Sequence, residues 1–191
     1  MKPLNLLARI ITPLCISACS VSAQQLIAEH NNEVELNSYH QIIVNCHNDP
    51  QALRRMLDYL HSLSLEMTVE FSGQCDGPIL IERDGITLTG SAQDNATISL
   101  HASHQQKTAI VVSSAVSSLR NFTIDTPDKA RVLRIEANAT VTIDGLKTAY
   151  VFNPKAPFYP FVTDDNSTLF ARNQNSFQLR VSGSSVANLM D

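Results

Sequence analysis

The stretch FSGQCDGPILIERDGITLTG (residues 71–90) carries three short apolar runs separated by turn-forming residues, with a cysteine in its middle. Each run places a pair of apolar side chains two positions apart, the spacing of one face of a half-buried strand. The breaks read as bends rather than two-residue hairpin reversals. Short strands joined by bends call for an architecture in which the chain turns a corner and keeps going.

The same pattern runs on to the C-terminal side. Val69/Phe71, Ile79/Ile81, Ile86/Leu88, Ile98/Leu100, Ile110/Val112, Phe122/Ile124, Leu133/Ile135 and Val141/Ile143 alternate with Thr, Ser, Arg or Glu. Two segments align: SAVSSLRNFTI (114–124) and NATVTIDGLKT (138–148) match Leu119 to Ile143, Arg120 to Asp144 and Phe122 to Leu146. Upstream, Ala109 and Val111 are expected to match Leu133 and Ile135 at the same offset of about 24 residues. A shared offset in separate strands signals a repeated unit that buries its inward side chains only by stacking on its neighbour. Leu133 and Ile135 should then point inward, and Arg134 outward.

On the N-terminal side, QIIVNC (41–46) is a compact β-branched strand. Asp49-Pro50 then opens a helix, with Asp49 as a cap and Pro50 in the first turn. Leu53, Met56, Leu57 and Leu60 form its apolar stripe, opposite Arg54, Arg55, Asp58 and His61. The helix is expected near residues 50–62.

At 191 residues and 43% hydrophobic content the chain is globular and reads as one domain. A net charge of -4 lacks the basic excess of a general nucleic-acid binder. Residues 1–23 read as a secretory signal: Lys2 and Arg9 form its positive end, Ile10 to Ala18 its apolar core and Val21-Ser22-Ala23 its cleavage site. Ile16-Ser17-Ala18-Cys19 also fits a lipoprotein box, which would make Cys19 an acylated first residue. The protein is thus expected in the periplasm or secreted, or held at the outer membrane through Cys19, with no transmembrane span in the mature chain. Residues 24–40 form a polar leader with a short strand at 34–36, and residues 41–191 the folded domain.

Ordinary cleavage would remove Cys15 and Cys19 and leave Cys46 and Cys75. In an exported chain one remaining pair is most simply a disulfide, and two buried free thiols are the alternative.

The motifs VNC (44–46), VEFSGQCDGPILIERDGITLTG (69–90) and ATISL (96–100) together resemble the N-terminal end of bacterial right-handed parallel β-helix proteins of the pectin-lyase-like kind. The resemblance spans residues 41–149. It implies an all-β fold, a right-handed parallel β-helix (solenoid) of about four coils with a short N-terminal capping helix. It also implies that a Cys46–Cys75 bond would clip the cap to the first coil; closing a loop of about 30 residues contributes roughly 3 kcal/mol.

Enzymes of that family gather acidic ligands for a cation beside an Arg or Lys base. Here the outward candidates are Arg120, Asp144, Arg134 and Glu136, which read as solvated pairs rather than a converging site. Asp164-Asp165 reads as a solvated turn. His101 and His104 carry no metal-site spacing in a strand exit, so neither a metal nor a cofactor is expected. The Asn-x-Thr triplets at Asn95, Asn121, Asn138 and Asn166 read as turns before strands, with glycosylation as the eukaryotic alternative. In NPKAPFYPF (153–161), Phe158, Tyr159 and Phe161 are the candidate ligand-binding residues, an aromatic platform for sugar rings. The same loop could instead shield a sheet edge.

The expected role is non-catalytic, binding or scaffolding in the cell envelope, with carbohydrate the first ligand to test. A polysaccharide lyase or hydrolase is one competing expectation. A subunit stacking on another envelope protein is the other, and that reading requires an uncapped apolar end.

Overall fold

The computed structural model describes residues 34–37, 40–63, 65–101, 108–127, 130–148, 159–173 and 179–190. The signal and lipoprotein readings at residues 1–23, and most of the leader, lie outside them. Residues 31–191 form one compact unit.

Its elements are β1 (Val34–Asn37), β2 (Gln41–Asn45), α1 (Ala52–Leu60), β3 (Met67–Asp76), β4 (Ile79–Ile81), β5 (Ile86–Gly90), β6 (Ala96–Ser99), β7 (Thr108–Ser113) and β8 (Val116–Arg120). There follow β9 (Thr123–Asp125), β10 (Arg131–Glu136), β11 (Thr140–Asp144), β12 (Lys147–Thr148), β13 (Phe161–Thr163), β14 (Thr168–Arg172), β15 (Leu179–Val181) and β16 (Val186–Met190).

The strands make two sheets. The larger has eleven strands in the order β12-β9-β6-β3-β5-β8-β11-β14-β16, with β2 on β3 and β1 on β2. The smaller has five, in the order β15-β13-β10-β7-β4. The β1–β2 pair is antiparallel, and the other strand pairs are parallel. Between the parallel neighbours β2 and β3 the chain crosses through α1, a β-α-β connection. The strands of the smaller sheet lie in sequence between successive strands of the larger one.

This topology corrects the expected fold class. In place of an all-β right-handed solenoid of about four coils, the chain has two mostly parallel sheets of eleven and five strands plus one helix, a sheet order of the α/β kind with one antiparallel edge pair. Alternation and a fixed offset specify that strands pair in parallel and in register. They do not specify how many strands share a sheet, or how the sheet is crossed.

The register agrees with the sequence alignment in one sheet and shifts by a residue in the other. Ile143 pairs with Leu119 and Asp144 with Arg120, as expected. In the smaller sheet Leu133 pairs with Ile110 and Ile135 with Val112, not with Ala109 and Val111. Ala109 is nonetheless buried, because β7 and β10 each begin with consecutive inward residues (Ala109-Ile110 and Val132-Leu133). That local break in alternation hides the true register from a pattern count.

The core is a series of side-chain columns running across the strands. Ile42, Val69, Leu88, Leu119, Ile143 and Ala171 occupy one column, each at 2% exposure or less. Burying each large aliphatic side chain stabilises the fold by about 1.5–3 kcal/mol. Leu133 and Ile135 are fully buried, while the Arg134 side chain is 37% exposed, as alternation requires.

The opening stretch also resolves here. Residues 71–76 end the ten-residue β3 and do not begin a separate strand. The bend sits inside β3 at Gly73, whose φ of +76° suits glycine. Before it β3 pairs with β2 and β5; from it onward β3 pairs with β6. Gly90 ends β5 where the neighbouring turn comes so close that a Cβ would lie 2.3 Å from the Asn121 carbonyl oxygen.

Helix α1 is shorter than residues 50–62. Gln51 is its N-cap, so Pro50 precedes the cap instead of opening the first turn. Asp49 still serves the helix start, accepting from the Gln51 N–H at 3.1 Å through Oδ1 and pairing with Arg55. The buried face is Ala52, Leu53, Met56, Leu57 and Leu60, and Arg54 donates to the Gly77 carbonyl at 2.8 Å. Among the described residues no helix is long and apolar enough to cross a membrane.

Candidate functional site

Three places were marked by their residues, and each resolves differently. At the first, the Cys46–Cys75 disulfide forms, with the two Cα atoms 5.2 Å apart. Cys46 follows β2 directly and Cys75 lies in β3, so the bond closes the segment that contains α1. Each cysteine is followed by a residue in a His–Asp pair: His47 pairs with Asp94, and Asp76 with His101 at 3.0 Å. The His47 hydrogen bond holds the Asp94 carboxyl below the ordinary aspartate range; desolvation opposes this, and the His47 charge and the Asn95 N–H assist it. Both pairs tie strand ends together around the disulfide.

At the second, the outward charges do not gather at one point. Arg134 Nε lies 2.8 Å from Glu136 and 3.6 Å from Asp164, and the Ser182 hydroxyl donates to Asp164. Asp144 accepts from Asn173 Nδ2 at 2.6 Å while standing in register with Arg120. A cation site needs several oxygens converging on one point; here Glu136 and Asp164 share Arg134, while Asp144 is bound to Asn173. Among the described residues no group of three His, Cys, Asp or Glu side chains could hold a metal ion.

At the third, the aromatic trio divides. Phe158 lies outside the described residues, Tyr159 is 42% exposed, and Phe161 is 2% exposed in β13. Phe161 pairs with Leu133 on one side and Leu179 on the other, so it belongs to the core and presents no face to a ligand. Three of the four Asn-x-Thr asparagines, Asn121, Asn138 and Asn166, adopt positive φ between 56° and 64°, as turn residues do.

A fourth place emerges from the fold itself. β16 ends the larger sheet opposite β12, and β15 ends the smaller one opposite β4. Leu189 pairs with Ala171 and continues the column of Ile143 and Leu119, yet Leu189 is 64% exposed where those are buried. Val181, in register with the buried Thr163, is 43% exposed, and Val186 and Met190 are also exposed. Each strand extends its own sheet: the Ser182 N–H after β15 donates to the Thr163 carbonyl of β13 at 3.0 Å, and the Val186 N–H of β16 to the Ser167 carbonyl before β14 at 3.0 Å. Among the described residues neither β15 nor β16 has a strand on its outer side, an arrangement suited to adding strands from another chain. The signal was present in LRV, where apolar residues alternate, and in VANLM, where four of five are apolar, but the polar surroundings from Asn173 onward mask it.

Comparison with family models, curated proteins and solved structures finds no match to this chain, so the likeness to pectin-lyase-like proteins rests on the quoted residues alone.

Proposed function

We propose that the protein is a non-catalytic scaffolding or binding component of the cell envelope that docks another polypeptide through β15 and β16. The carrying observation is Leu189: a core-column residue with 64% of its surface exposed. Extended strands added there would satisfy the free backbone groups and cover the apolar side chains in one step. The Cys46–Cys75 bond supports an oxidising compartment. The Arg134 group shared by Glu136 and Asp164, and the Asn173 bond to Asp144, support the non-catalytic reading over a polysaccharide lyase, which needs a free base and a neutralised substrate carboxylate. Carbohydrate remains the ligand to test at Tyr159.

The experiment places a photo-crosslinking residue at position 189 of the full chain in its native host, with a control at the exposed position 82. An adduct from 189 and none from 82 is expected. Absence of an adduct from 189 would overturn the docking role.

A further inference from the structure

We draw no further inference here: the strongest candidate, the cleft between α1 and β4 lined by Leu57, Leu60 and Ile86, brings Asp58, Glu82 and Arg83 together among its lining side chains, so its charge selects no single class of ligand, and nothing in the structure shows what covers it.

Discussion

The two ends of the strand array are built on opposite principles. At one, β2 is covered by an antiparallel strand, α1 packs its apolar face inward, and a disulfide closes the connection between β2 and β3. At the other, β15 and β16 stop with core-type residues in the open. The side chains differ little in kind: Leu53 on α1 is fully buried and Leu189 on β16 is 64% exposed. Parallel strands propagate a core indefinitely, and the chain must spend a different element to stop it. Among the described residues that element is present at one end only.

The largest test compares two leucines that occupy inward strand positions. Leu133→Asp would put a carboxylate in a fully buried site and should abolish the cooperative melt, a loss of several kcal/mol. Leu189→Asp should move the monomer's stability by about 0.5 kcal/mol or less, since its environment is already water. Equal losses in urea unfolding would show that the end at β16 is packed in solution, and the contrast between the ends would fall.

A smaller effect is expected from the clip. Replacing Cys46 and Cys75 together with alanine should cost roughly 3 kcal/mol, by relaxing the constraint on the unfolded chain. Amide exchange should then quicken in α1 and β2 while β15 and β16 keep their rates. Two alkylatable thiols in the native protein would remove the disulfide from the argument.

Much of the strand pairing was legible in the sequence because alternation and offset are local and additive. Leu119 over Ile143 and Arg120 beside Asp144 follow from counting. The smaller sheet slipped by one residue because Ala109-Ile110 and Val132-Leu133 are consecutive buried pairs, which a period of two cannot represent. The sheet count and the crossover through α1 depend on long-range closure, which no short window contains. Of the aromatic trio, Phe161 looked like a ligand platform because burial of an aromatic depends on what stands beside it, here Leu133 and Leu179. The open end was hidden for the same reason: VANLM has a core strand's pattern, and only the absence of a strand beyond it among the described residues exposes Leu189.

The smallest effect separates the ends by acidity. The closed end carries the His47–Asp94 pair, whereas the only charged residue in β15 and β16 is Arg180. The Asp94 carboxyl titrates below the ordinary aspartate range in the folded protein, chiefly because His47 donates to it. A depressed folded value means the unfolded chain binds this proton first as pH falls. The pair's contribution is therefore complete above the ordinary aspartate range and disappears as pH drops through the lowered folded value. Because the pair is exposed, the effect is modest and salt should weaken it. Asp94→Asn should flatten the acid limb of stability against pH between those two values and leave the neutral plateau nearly level. Amide exchange near residues 47 and 94 should quicken over that window in the wild type, while residues 179–190 stay unchanged. An acid response confined to β15 and β16 would place the titrating group at the wrong end of the molecule and break the contrast.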